Sequence, residues 1–309
     1  MFSHLTQGFE LTPRAEIHNP YHYTPTRWIC ITFVSLFGLS TILHITQAII
    51  FSIWYMLPTA ALCGTLEIVG WLARLSSSKN PHNLLPYEIQ MTATIVGPTP
   101  LLAANFLTLG KLVERLGPRY CRLPPKMYSI MFLACDLVAL CVQAAGGAIA
   151  SIAVGKKRDP ESGGHIMLGG IIFQLIAILA YVSLAAEFLV RYTTERPMSK
   201  SNEHRGTLTP RLRLLVGALA LNTLCLVVRN IDIDIRAIYR TVELINGFSG
   251  PIISTQWYFN VFDGMMIALA ILIVNVAHPG ILLRQDDAGA VDKERAHSSE
   301  VQLKLMGSI

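Results

Sequence analysis

Tyr128–Gly155 reads YSIMFLACDLVALCVQAAGGAIASIAVG, and Asp136 is the one charged residue in it. A helix crosses the hydrocarbon core of a bilayer with roughly 20 apolar residues. This stretch is long enough to do so, and too apolar to be an ordinary surface helix. The same pattern recurs on both sides of it. Ile89–Gly110 contains no charged residue, and Ile252–Ala277 contains only Asp263. Several such runs in one chain cannot all be buried soluble helices. Across the 309 residues only 15% are charged and 52% are hydrophobic, where a soluble domain carries about 25% charged residues. Hydropathy places seven spans at about 28–51, 54–73, 88–110, 127–152, 166–190, 212–232 and 253–277. The fold expected is an all-α integral membrane protein, a seven-transmembrane-helix bundle.

The connections add detail. The first is very short, so spans one and two form a tight antiparallel pair. Span six has to include a charged residue, because only fifteen residues separate Arg213 from Arg229. Met1–Arg27 is polar and broken by Pro13, Pro20 and Pro25. It lacks the apolar core of a signal peptide, so the first span serves as the insertion signal. The organisation expected is a tail over 1–27, a membrane domain over 28–280, and a disordered tail over 281–309. With the N-terminus outside, nine Lys and Arg fall in outer segments and fifteen in inner ones, with Arg229 left inside span six. Positive loops stay cytoplasmic, so the expectation is N-terminus outside and C-terminus in the cytosol. The net charge of +5 sits in these loops and is no sign of nucleic-acid binding.

Ionisable groups in apolar surroundings are the candidates for function, since such groups are costly in lipid and face a bundle interior or a wet cavity. Glu67 and Arg74 stand seven residues apart on span two, on one helical face. Asp136 and Gln143 repeat that spacing on span four, followed by Gly146 and Gly147, which allow a neighbouring helix to approach closely. Gln256, Asn260 and Asp263 form one stripe on span seven. Gln90 and Gln174 mark spans three and five. Beyond span six, Arg229, Asp232, Arg236, Arg240, Glu243 and Gly247 share a face if the helix continues, and their charges pair at helical spacing. The expectation is a long sixth helix with this stripe turned to the bundle, and an internal cavity shared by Glu67, Asp136 and Asp263. Buried amides and carboxylates also serve in multi-span proteins merely to tie helices together, and that reading stands beside the functional one. His44, alone inside span one, reads as a hydrogen-bonded packing residue.

Other chemistry finds no support. There is no GxxxxGK[ST] phosphate loop, no GxSxG nucleophile, no lysine in span seven for a retinal Schiff base, and no clustering of the nine histidines for a metal. None of the six cysteines forms a CxxC pair, and they read as small packing residues. No enzyme activity and no cofactor are expected.

The polar residues stand in a pattern that resembles the fungal RTA-like proteins, the lipid-translocating exporter family. Gly64-Thr-Leu-Glu67-Ile-Val-Gly70-Trp-Leu-Ala-Arg74 is similar to that family's G-x-x-E-x-x-G-Y-x-x-R. Asp136 through Gln143 to Gly146-Gly147 is similar to its D-x6-Q-A-x-G-G, and Arg236-x-x-Tyr239-Arg240-x-x-Glu243 to its R-x-x-Y-R-x-x-E. Tyr87, Gln90, Pro98, Ala103-Ala104, Gly169-Gly170, Gln174 and Phe262-Asp263 fall in the same order. Trp71, Gln256 and Asn260 depart from the pattern, where Tyr, Glu and Tyr are usual. The resemblance implies a seven-span fungal membrane protein, often of the plasma membrane, linked to release or translocation of sphingoid bases and related amphiphiles and to resistance to toxic compounds. Membrane lipids or amphiphilic small molecules are the partners expected. Glu67, Gln90, Asp136, Gln143, Gln174, Arg236, Arg240, Glu243 and Asp263 are the expected substrate-binding or cavity residues. A seven-span layout also fits a lipid sensor or receptor that regulates other transporters, and the two readings stay open.

Overall fold

The computed structural model describes residues 21, 23–156, 158, 161–198, 206–246 and 256–283. Among these residues every element is helical, and seven helical spans are long and apolar enough to cross a membrane. They are Arg27–Ile50, Trp54–Ser77, Leu84–Leu116, Pro125–Gly155, Glu161–Thr193, Pro210–Asn246 and Gln256–Leu283, called spans one to seven below. The chain is a multi-pass integral membrane protein.

The physical reason for the arrangement is visible in what each span buries. Span one exposes Trp28, Ile31, Leu39, Ile42 and Ile49, while Cys30, Phe37, Ser40, His44 and Ala48 are buried. In lipid there is no hydrophobic gain from hiding leucine, so the inward faces are set by packing and polar contacts instead. Span three is the central helix. In its most apolar window 72% of residues are buried, against 28% for spans one, four and five.

Spans four and five show why small residues sit at a crossing. A Cβ added to Gly146 would collide with the backbone of Gly163 and Met167, and one added to Gly163 would collide with that of Gly146 and Ala150. The two backbones are therefore in direct contact, as small residues permit. Gly147, by contrast, faces open space.

Three spans depart from regular helix. Span two begins with a π-helical turn over Leu57–Ala61, holding Pro58. Span three is two helices, Leu84–Val96 and Pro98–Leu116, meeting at Gly97. It starts four residues earlier than the hydropathy pattern predicts, where Asn83 caps it by accepting from the Leu85 N–H at 3.2 Å. Span seven carries a π-helical turn over Phe259–Met265. The sixth helix runs to Asn246, past Glu243, and Gly247, the last member of the expected stripe, lies outside the described residues. The side chains of Arg236, Arg240 and Glu243 lie outside the described residues.

Candidate functional site

The break in span three dictates the first cluster. In a continuous helix the Thr94 carbonyl would accept from the backbone N–H of position 98. That position is proline, which has no N–H. A buried carbonyl left unpaired costs about 1–3 kcal/mol. Arg229 of span six supplies the missing donor: its Nη2 donates to the Thr94 carbonyl. Its Nε donates to Asp263 Oδ1 of span seven at 2.8 Å. Both side chains are deeply buried, 3% and 6% exposed. Asp263 itself projects from the π-helical turn, a distortion common at functional positions.

Glu67 of span two completes this centre. It is 1% exposed and presses on the bare backbone of Gly97. A Cβ at that glycine would stand 2.7 Å from Glu67 Oε1, so only glycine leaves room for the carboxyl group. Asp263 and Arg229 are within electrostatic reach. Glu67 Oε1 has no hydrogen-bond partner in good geometry, and the neutral donor next to the carboxyl group is the Trp71 indole N–H, one turn on along the same helix. Four spans thus meet at one break, with two carboxylates and one guanidinium.

Asp136 lies in a second cluster, built from amides. Gln174 Nε2 donates to Asp136 Oδ1 and stands 3.3 Å from Thr99 Oγ1. Gln143 Nε2 donates to Gln174 Oε1 at 2.9 Å. Gln143 and Gln174 can come this close because Gly170 carries no side chain where it meets Gln143. No cation pairs with Asp136 among the described residues, and its Oδ2 is unpartnered. The expected convergence of all three carboxylates is therefore half right. Glu67 and Asp263 come together, whereas Asp136 sits on spans four and five, connected to span three through Thr99. The two clusters meet span three at Thr94–Gly97 and at Thr99, within about 8 Å along a helix.

Gln90 belongs to neither. It accepts from Arg74 Nη1 at 3.3 Å and from the Tyr21 hydroxyl at 2.7 Å. Arg74 also donates to Tyr23 OH at 2.9 Å, and its guanidinium lies 4.4 Å from the centre of the Phe259 ring and within 5.7 Å of those of Tyr21, Tyr23 and Trp71. These π faces take the place of a carboxylate for the buried cation. Burial pushes the Tyr21 hydroxyl up to about 12, so it remains a donor. Tyr21 and Tyr23 precede the first span, in the segment that composition assigns to a tail, yet Tyr21 is buried against the bundle.

Of the stripe on span seven, Asn260 is buried within the π-helical turn, and Gln256 accepts from Thr26 Oγ1 at the start of span one at 3.0 Å. His44 bonds the Ile271 carbonyl at 3.1 Å, in line with a packing role. A small crevice of about 10 Å³, room for about one water, lies between spans three, six and seven, lined by Asn105, Thr108, Leu215, Leu219, Val274 and Pro279. None of the expected site residues lines it.

The sequence reading placed Arg229 in the stripe turned to the bundle without a partner outside its own helix, and it missed Thr94, Gly97 and Thr99. These three had no signal, because a carbonyl freed by a proline is visible only when something reaches it.

A model of the family described as RTA1 like protein matches residues 60–286. The sphingoid long-chain base transporter RSB1 of Saccharomyces cerevisiae is 27% identical over 300 residues, covering 88% of this chain and 78% of that protein. Protein RTA1 of the same yeast is 27% identical, with 88% of this chain and 86% of that protein covered. Protein RTM1 is 26% identical over 67% of this chain and 62% of its own length. No solved structure matches the chain. The chain belongs to the RTA1-like family.

Proposed function

We propose that this RTA1-like protein moves single-tailed amphiphilic lipids with a cationic head, of the sphingoid-base kind, between leaflets or out of the membrane. The observation that carries the reading is the break at Gly97–Pro98, where Glu67, Arg229 and Asp263 meet in the interior of the bundle. Interrupted helices with polar groups at mid-depth are how membrane transporters build substrate sites. Carboxyl groups there suit an ammonium head. An apolar crevice lined by Ala104, Leu215, Ala218 and Val274 lies further along span three, about 10–12 Å from Gly97, and would have to widen to take a hydrocarbon tail. A relative bearing the name of a sphingoid long-chain base transporter supports the same substrate class. The protein acts by binding and moving its substrate and carries out no covalent reaction. Its N-terminus lies outside and its basic loops in the cytosol, in the plasma membrane.

The test uses purified protein in vesicles with a fluorescent sphingoid base added to one leaflet. Protein-dependent loss of the probe from that leaflet supports transport. Tight binding without movement identifies a sensor and defeats the proposal. Impermeant cysteine reagents added to intact cells test the orientation: label entering the 111–126 or 191–213 loops from outside reverses it.

A further inference from the structure

We infer that Glu67 is an exchange site, occupied by a proton in the empty protein and by the ammonium head of the substrate in the loaded one, so that lipid leaves in exchange for a proton. This rests on the lipid-moving reading above and adds its energy source. The charge count comes first. Glu67 and Asp263 share one cation, Arg229, and its hydrogen bonds go to Asp263 and to the Thr94 carbonyl, not to Glu67. Counting the described residues, with both carboxyls ionised the centre carries one uncompensated negative charge at 1% exposure, beside an Oε1 that has no partner among them. Such a charge is not held in a membrane interior without a partner. One positive charge at Glu67 makes the centre neutral, and a proton or an ammonium supplies it equally. Both at once do not fit, because either alone completes the neutrality.

The surroundings narrow the choice to Glu67. Among the described residues, the titratable or charged groups facing it are Cys63 on its own span, Arg229 on span six and Asp263 on span seven, while span three presents the backbone at Gly97. Asp263 is already paired. Asp136 is held by the Gln174 amide, itself held by Gln143, between two spans in backbone contact, a rigid seat. Glu67 instead rests on Gly97, which stays helical and donates to the Ala93 carbonyl at 2.8 Å. Gly97 stands beside the rung of the backbone ladder that Pro98 removes, so a change of occupant is felt at the weak point of span three. The step balances. The carboxyl O–H of Glu67 dissociates to water on one side as the carboxylate pairs with the incoming ammonium. On the other side the ammonium leaves and a proton returns to the same oxygen.

The experiment uses the full-length protein in vesicles that enclose a pH-sensitive dye. The probe is a fluorescent long-chain trimethylammonium, whose fixed charge prevents it from carrying a proton by itself. Protein-dependent entry of this probe is expected to alkalinise the lumen by about one proton per molecule, as electroneutral exchange of single charges requires. Making the lumen acidic beforehand is expected to speed entry several-fold. Glu67→Gln should lose both the dye response and the gradient effect. Glu67→Asp, which keeps a carboxyl, should retain the dye response at a lower rate, and it decides the matter if the Gln variant does not fold. Entry of the probe with no dye response and no gradient effect overturns the exchange and leaves lipid movement standing. So does entry of a primary-amine probe but not of the trimethylammonium. If neither probe moves, the lipid-moving reading fails, and the exchange with it.

Discussion

The charged centre and the amide cluster are two ways of burying a carboxylate beside the same helix. At the centre Asp263 is paired with Arg229, and the pair also meets a backbone group that Pro98 leaves unsatisfied. In the amide cluster Asp136 is held by Gln174, itself held by Gln143, with no cation among the described residues. The first arrangement is a structural tie that tolerates no loss of charge, since removing one member strands the other. The second is a neutral cradle that tolerates loss of charge but not loss of a donor. The difference separates residues whose substitution unfolds the protein from residues whose substitution can silence it.

The largest effect should therefore follow Arg229→Gln. It strands Asp263 and the Thr94 carbonyl, and breaking a buried pair costs about 3–5 kcal/mol. The expected outcome is a sharp fall in Tm and abundance, with most of it recovered when Asp263→Asn is added. A stable single variant would show that the centre is not a structural tie. Next comes Gln174→Leu, which removes the donor to Asp136 and should cost about 1–3 kcal/mol, read as a smaller drop in Tm. Asp136→Asn keeps an oxygen to accept from Gln174, so its stability should stay within about 1 kcal/mol of the parent. Transport in vesicles should nevertheless fall. Full transport by this variant would reduce the amide cluster to a helix tie.

The smallest change in stability is expected for Pro98→Ala. The new N–H competes with Arg229 for the Thr94 carbonyl, and a gained helix bond offsets a weakened one, leaving a net change under about 1 kcal/mol. Transport should slow, because the helix no longer breaks at Gly97. Unchanged transport would separate the break from function.

Much of this was legible in the residues. Apolar runs such as Tyr128–Gly155 located the spans, because burial in lipid demands contiguous apolar length. The polar outliers Glu67, Asp136 and Asp263 were conspicuous for the same reason. Gly146 marked a helix crossing, though its neighbour Gly147 looked the same and faces open space. The residue that governs the centre, Arg229, was visible as part of a stripe facing the bundle, but its partners on spans three and seven were not. The sharing of a cavity by all three carboxylates was expected and is not what the helices build.

The sequence by itself determined that this is a seven-span membrane protein of the RTA1-like pattern, and which residues are too polar to face lipid. Hydropathy sums over neighbours in the chain, so it needs no tertiary information. Tertiary structure alone decided which polar groups meet. Arg229 and Asp263 are 34 positions apart, and Arg229 and Thr94 are 135 apart. Their pairing depends on the rotation and depth at which spans three, six and seven pack, and no local pattern encodes that.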